Sequence, residues 1–136
     1  MIRTIVKDPM FLSIKAQKAV KEDLPAVQDL VDTLRAHHDG CVGMAMNMIG
    51  IAKAAIAVDT GKMILVMINP VITKKTGAYQ TSEGCLSLTG VRQTTRHQKI
   101  TVTYEDLSFR KRTGEFEGFT AEIIEHECDH LAGILI

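Results

Sequence analysis

The stretch TAEIIEHECDHLAGILI, residues 120–136, is the most informative part of this 136-residue chain. Thr120 is a suitable N-cap, and apolar residues follow at the spacing of an amphipathic helix: Ile123, Ile124, Cys128 and Leu131. His126 and His130 are four residues apart, so a helix places them one turn apart on the same face. This HExxH pattern predicts that both imidazoles bind one metal ion while the adjacent Glu127 carries a proton.

A third metal ligand must come from elsewhere, because a catalytic site usually has three protein ligands and a water. The segment TSEGCLSLTG, residues 81–90, supplies a candidate in Cys85, since thiolates bind borderline divalent metals strongly. Its polar, glycine-containing sequence predicts a loop that reaches the histidine helix. Without this cysteine, HExxH is also consistent with a surface helix that carries His and Glu side by side, and a cysteine alone is consistent with a buried apolar residue.

The remaining segments predict one α+β domain over residues 1–136. Residues 21–40 have helical periodicity that ends near Gly40, with His37 and His38 exposed in the last turn. Short β-rich or apolar runs predict strands at 51–58, 62–70 and 99–106, and a hairpin around Gly114. The predicted architecture is therefore an N-terminal helix, antiparallel or mixed β-sheets, and a C-terminal helix that carries HExxH.

Composition excludes several classes of function. Sixteen basic and sixteen acidic residues give no net charge, so no overall field favours nucleic acid or an anionic membrane. No apolar run approaches the ~18–20 residues of a membrane span, and the first residues lack a signal-peptide core. Three widely spaced cysteines, at 41, 85 and 128, fit a reducing cytoplasm better than a disulfide framework. We expect a cytoplasmic protein without direct nucleic-acid or membrane binding.

Two motifs together resemble one known family. EGCLS at 83–87 and HECDHLAG at 126–133 are similar to the second and third signature motifs of peptide deformylases, and MINP at 67–70 resembles the preceding strand. The resemblance covers nearly the whole chain. It implies the fold of that family and a bacterial hydrolase of protein biosynthesis that removes the formyl group from N-formylmethionine. It also implies formylated nascent peptides as partners, the ribosome as a further partner, and a monomer or weak dimer.

The resemblance implies a role for individual residues. Cys85, His126 and His130 would bind one divalent transition metal, and Glu127 would move a proton from the attacking water to the departing amine. The backbone N–H of Leu86 would stabilise the developing oxyanion. Fe²⁺ is the usual ion of the family, but Zn²⁺, Ni²⁺ or Co²⁺ also suit one cysteine and two histidines.

The resemblance also implies a substrate pocket. Its apolar wall, which takes the formyl-methionine side chain, is expected to consist of Val42, Gly43, Met44 and Ile123, although each is equally consistent with ordinary core. Arg92 matches a family position near the pocket mouth, where an exposed, solvated arginine is the alternative.

Two further residues are expected to be structural. Glu83 should pair with Arg96 and steady the segment that presents Cys85. Cys128 should pack in the core.

The first family motif is where this sequence differs. Deformylases usually have G-φ-G-φ-A-A-x-Q, with φ apolar, but residues 41–48 are CVGMAMNM. Met48 therefore replaces the glutamine that donates a second hydrogen bond to the oxyanion, and we expect it to face the metal and the substrate. Asn47 is the nearest amide, and on an extended segment it points away from the site unless a one-residue bulge reverses it.

Three functions are consistent with this pattern. Loss of one oxyanion donor lowers the rate by about 10²–10³ without abolishing it, so a deformylase with reduced activity is the first interpretation. The alternative is a metal-binding paralogue with little or no catalysis that serves as a binding or regulatory protein. A metallopeptidase of another kind is the third, although its HExxH is not usually accompanied by EGCLS.

Overall fold

The computed structural model describes residues 1–85 and 88–134. Over these residues the helices are α1 (Pro9–Leu12), α2 (Leu24–Ala36) and α3 (Gly118–Leu131), with short 3₁₀ turns at Lys21–Asp23 and Met46–Ile49. The strands are β1 (Gly43–Ala45), β2 (Ala55–Asp59), β3 (Ile64–Cys85), β4 (Leu88–Glu105) and β5 (Lys111–Glu117). The order of helix, strands and helix confirms the predicted α+β class.

The strands form one antiparallel sheet in the order β1-β2-β3-β4-β5. β3 and β4 are a long hairpin that runs from the pair Ile68–Glu105 to the pair Cys85–Leu88, with irregularities in register along its length. Because bulges bend a strand and increase its twist, they allow a hairpin of this length to curve. The pairing places Cys85 at the far end of β3.

Helix α3 packs on this sheet and contributes most to the position of the candidate site. Its apolar face enters the core through Ala121, Ile123, Ile124 and Leu131, which are all buried. Helix α2 adds a second apolar face, with Val27, Leu30, Val31 and Leu34 in the same cluster. Since helical side chains at i, i+3 and i+4 share a face, burial of Ile123 also directs Glu127 inward.

Four local predictions differ from the structure. Helix α2 ends at Ala36 rather than near Gly40. Helix α3 begins at Gly118 after Glu117, so Thr120 is inside the helix and does not cap it. Gly114 is within β5, and the turn before that strand is organised by Asp106, which accepts hydrogen bonds from the N–H groups of residues 108 and 110. Residues 81–85 are strand rather than loop because they pair with β4; tertiary pairing outweighs their polar composition.

Over residues 1–85 and 88–134, no helix is both long enough and apolar enough to cross a membrane.

Candidate metal centre and active site

The three predicted metal ligands lie close together. Cys85 comes from the end of β3, and His126 and His130 come from successive turns of α3. Their candidate ligand atoms all lie within 4.8 Å of one another, and the two Nε2 atoms are 3.1 Å apart. Both histidines are buried and Cys85 is partly exposed. A strand end and a helix face thus converge on one point.

These residues have the chemistry that a transition metal requires. One thiolate and two imidazoles are a donor set typical of borderline divalent ions. Burial and the charge of the neighbouring His126 lower the pKa of His130 to about 4, which keeps this ring neutral and able to bind a metal. Its Nδ1 atom has no hydrogen-bond partner within the described part of the chain. The site therefore fits a mononuclear metal bound by Cys85, His126 and His130.

A buried ion-pair network orients the first histidine. Arg96 donates to Glu83 from Nε (3.0 Å to Oε2) and from Nη2 (2.7 Å to Oε1), which confirms the predicted pair. The same arginine donates from Nη1 to Asp129 Oδ2 at 2.6 Å, and His126 Nδ1 lies 2.7 Å from Glu83 Oε1. Because Nδ1 is engaged with the carboxylate, Nε2 faces the metal centre.

The network also sets the protonation of its members. Burial disfavours a charge on Glu83, but hydrogen bonds from His126 and Arg96 outweigh it and lower its pKa to about 2. Burial likewise opposes a charge on His126, yet hydrogen bonds with Cys85 and Glu83 raise its pKa to about 10. A metal that binds Nε2 must therefore displace a proton.

Glu127 is a buried carboxyl beside the three candidate ligands. Its side chain is 4% exposed, and Oε1 has no hydrogen-bond partner among the residues described. Burial raises its pKa to about 7, against the opposing charge of His126. A carboxyl with a pKa near neutrality, next to a metal centre, is suited to accept and return a proton.

Gly43 allows β1 to approach this carboxyl. A Cβ atom at position 43 would lie 2.5 Å from Ile123 Cγ2 and 3.0 Å from Glu127 Oε2. No side chain fits at the first distance, so β1 and α3 need glycine here to pack at their observed separation.

A cavity of about 530 Å³ opens beside the metal centre. Four of the six residues predicted to bind substrate line it: Val42, Gly43, Met48 and Ile123. Met44 is fully buried and Arg92 is half-buried on β4 opposite Glu83, and neither belongs to the described lining. Successive side chains of a strand alternate, so Gly43 and Met44 face opposite sides of β1, and the assignment of Met44 to the pocket wall stays a prediction. The expected role of Arg92 near the pocket mouth also stays a prediction.

Leu86, the predicted backbone donor to the oxyanion, lies outside the described residues.

Residues 46–49 form a 3₁₀ turn, so the expected extended segment with strand alternation is wrong. The Asn47 amide donates from Nδ2 to the backbone carbonyl of His130 at 2.9 Å, at the end of α3, while its Oδ1 atom is buried without a hydrogen-bond partner among the described residues. Met48 lines the cavity, and its Sδ atom is 3.5 Å from the backbone N–H of Ala45. The turn therefore separates the amide from the cavity and leaves a thioether on its wall.

The cavity also contains residues that sequence analysis did not assign. Glu122 lines the wall, and Tyr79 donates to its Oε1 at 3.1 Å. It precedes His126 by four residues, a helical spacing that could have indicated it. Cys41 lines the cavity as well, and burial raises the pKa of its thiol to about 11. Cys128 packs against the core as expected, and burial raises its pKa to about 12.

The arrangement of these residues defines a class of protein. A helix with two histidines and a buried carboxyl, a cysteine from a neighbouring strand and an adjoining cavity are the parts of a mononuclear metal-dependent hydrolase.

Comparisons with known proteins identify the family. The family described as polypeptide deformylase matches residues 2–136. A peptide deformylase from Clostridium beijerinckii is 52% identical over 136 residues, which is 100% of both chains. The crystal structure of a peptide deformylase from Thermotoga maritima superimposes with a TM-score of 0.89 at 29% identity, covering 99% of this chain and 95% of the other.

A third similar structure has a bound peptide. The Met-Ala-Ser-bound class I type b peptide deformylase from Acinetobacter baumannii gives a TM-score of 0.88 at 28% identity, with 99% of this chain and 97% of the other covered. The chain therefore belongs to the polypeptide deformylase family and is an enzyme, a metallohydrolase. The alternative of a non-catalytic paralogue is not favoured by a match over the full chain.

Proposed function

We propose that this chain removes the N-formyl group from the N-terminal formyl-methionine of nascent polypeptides. The observation that carries the proposal is Glu127: a buried carboxyl whose Oε1 atom has no hydrogen-bond partner among the described residues, beside three clustered metal ligands and on the wall of an open cavity. Together with membership of the family, this is the arrangement that a metal-assisted hydrolase needs.

Cys85, His126 and His130 are proposed to hold one divalent transition metal. When bound, such an ion polarises the formyl carbonyl and lowers the pKa of water. Fe²⁺ is our proposal, as in the family generally, and the donor set is also compatible with Zn²⁺, Ni²⁺ or Co²⁺. Glu83 and Arg96 hold His126 in the orientation that this role requires.

Glu127 is proposed as the proton carrier. It takes a proton from the water that attacks the formyl carbon and returns it to the amine that leaves with the peptide. A pKa near 7 suits both directions of transfer. The backbone N–H of Leu86 is proposed as one oxyanion donor, while the Met48 thioether has no hydrogen to donate. We therefore expect activity about 10²–10³ below that of a site with both donors.

The substrate is proposed to enter the cavity beside the metal centre. Its methionine side chain would pack on Val42, Gly43 and Ile123, with Met48 as a flexible apolar wall. The Met-Ala-Ser peptide bound in the A. baumannii structure has the sequence of the product that deformylation of formyl-Met-Ala-Ser would give. Because the substrate is a nascent chain, we propose that the enzyme works in the cytoplasm near the ribosome, as a monomer or weak dimer.

The decisive experiment measures formate release from formyl-Met-Ala-Ser by iron-loaded protein under anaerobic conditions. We expect turnover by the parent and none by Glu127→Gln, which keeps the shape of the side chain but cannot accept a proton. An iron-loaded parent that releases no formate would refute the proposal.

A further inference from the structure

The outer edge of β5 is open. This strand is the last in the sheet, so only one of its sides is paired, with β4. Among residues 1–85 and 88–134, the backbone of residues 111–116 forms no hydrogen bond with any element other than β4. An open row of N–H and C=O groups of this kind is able to pair with a further strand.

The solvent face of β5 has its charges in a defined order. Lys111 begins the strand, Glu115 and Glu117 lie near its end, and all three side chains are exposed. Because successive side chains of a strand alternate, these odd-numbered residues share one face. Phe116 belongs to the other face, where its neighbour across β4 is the buried Ile100. The solvent face is therefore basic at its start and acidic at its end.

This order makes the strand complementary to itself. If two copies of β5 pair antiparallel with Gly114 at the centre, Lys111 of each copy lies directly opposite Glu117 of the other. Opposite charges at directly opposing positions stabilise a strand pair, whereas like charges destabilise it. A parallel pairing in register would instead set Lys111 against Lys111 and Glu117 against Glu117. The charges therefore favour the antiparallel arrangement and disfavour the parallel one.

The two charges at the ends of this pairing are not committed within one copy. Glu115 forms an ion pair with Lys99 of β4, but neither Lys111 nor Glu117 forms an ion pair within the part of the chain that the structure describes. Charged residues on an edge strand commonly prevent association, because a second copy would bring like charges together. In β5 the order of the charges removes that obstacle.

We propose that two copies of this chain associate through antiparallel pairing of their β5 edges, centred on Gly114, so that the two sheets become one continuous sheet. The interface involves neither the metal centre nor the cavity. The inference therefore goes beyond the proposed activity and does not depend on it.

The association should be weak. A single strand of seven residues from each copy gives an interface well below the roughly 1,600 Å² of a standard stable complex, so we expect a Kd of about 10⁻⁵–10⁻³ M. Twofold symmetry produces each charge pair twice, so reversal of one charge replaces two attractive pairs by two repulsive ones. At about two- to fivefold for each exposed pair, the reversal should raise the Kd by about 10–100-fold.

The test is sedimentation equilibrium on the full chain at concentrations up to about 1 mM, which covers the expected Kd. Lys111→Glu and Glu117→Lys should each weaken dimerisation, and the double variant Lys111→Glu/Glu117→Lys should restore it, because opposite charges again meet across the interface. Lys62→Glu is the matched control: this exposed lysine lies in the turn between β2 and β3. Its substitution changes the net charge as Lys111→Glu does, and it should leave the Kd close to that of the parent.

Crosslinking identifies the residues in contact. A carbodiimide condenses an amine with a carboxylate that touches it, and should join Lys111 to Glu117. Within one strand these residues are about 20 Å apart, so this link can form only between two copies.

A parent that stays monomeric at every concentration, a double variant that dimerises no better than the single ones, or a dimer without the crosslink between Lys111 and Glu117 would overturn the inference. None of these measurements uses formate release, so the proposed deformylation stands or fails separately.

Discussion

The exchange Met48→Gln tests how the first motif limits this enzyme. Met48 is 1% exposed and lines the cavity, while its Sδ atom is 3.5 Å from the Ala45 N–H. Glutamine has a similar length, so its Oε1 atom can accept that N–H in place of the sulfur. Its Nε2 donor then remains on the cavity side, where an oxyanion would form.

The magnitude follows from the value of one donor. A well-placed oxyanion donor contributes about 10²–10³ in rate. Cys41 and Met46 add bulk to this segment, so we expect a gain in kcat/KM of about tenfold to a hundredfold, or about 1.4–2.7 kcal/mol of transition-state stabilisation. The gain should be mostly in kcat, because the hydrogen bond strengthens as charge develops. A buried amide without substrate should also lower the free energy of unfolding by about 1–3 kcal/mol.

The assay is formate release from formyl-Met-Ala-Ser, with metal content measured by elemental analysis on the same samples. Met48→Leu is the control, since it keeps the site apolar and should give no gain. We do not expect Asn47 to substitute as the donor, because its Nδ2 atom donates to the His130 carbonyl and the residue is not part of the described cavity lining. An unchanged rate in Met48→Gln with the metal retained would refute the assignment of this position to the oxyanion.

Three other predictions test the metal centre. His130→Ala should lose the metal and some thermal stability, whereas Glu127→Gln should keep the metal. Full metal occupancy in His130→Ala, or an empty site in Glu127→Gln, would contradict the roles assigned to these residues. Arg96→Met leaves two carboxylates without their cation. It should lower the free energy of unfolding, measured by chemical denaturation, by about 3–5 kcal/mol, and it should weaken metal affinity by about 10–100-fold. Arg112→Met breaks an exposed ion pair and should lower the free energy of unfolding by less than about 1 kcal/mol. Equal losses of stability in Arg96→Met and Arg112→Met would contradict this prediction. Because the pKa of His126 is raised to about 10, its proton must leave before a metal binds, so affinity should rise with pH by up to about tenfold per unit from pH 7 to 9. Calorimetry in buffers of different ionisation enthalpy measures the proton released, and a pH-independent affinity would exclude this step.

The sequence predicted those parts of the site that local patterns encode. HExxH places His126 and His130 on one helix face wherever the helix lies, and the EGCLS segment indicated Cys85. The Glu83–Arg96 pair was also predicted, through resemblance to a family. Each of these depends on spacing along one segment or on a motif.

The parts that the sequence did not reveal depend on how distant segments pack. Asp129 contacts Arg96, and Tyr79 contacts Glu122, only because β3 and β4 pack against α3. Local alternation failed at Met48 because residues 46–49 turn back instead of extending. No periodic sequence pattern predicts a single 3₁₀ turn, because such a turn is stabilised by its surroundings. Here the hydrogen bond from Asn47 to the His130 carbonyl, at the end of α3, contributes.

The raised pKa values of two of the three thiols have a practical consequence for anyone who handles this enzyme. The pKa values of Cys41 and Cys128, about 11 and 12, keep both thiols protonated and poorly nucleophilic at neutral pH. Alkylating reagents should therefore be consumed mainly by Cys85, the same sulfur that is proposed to bind the ion. A simple colorimetric titration of the Cys85 thiol would then report metal loading, and Cys41 and Cys128 would not need to be replaced.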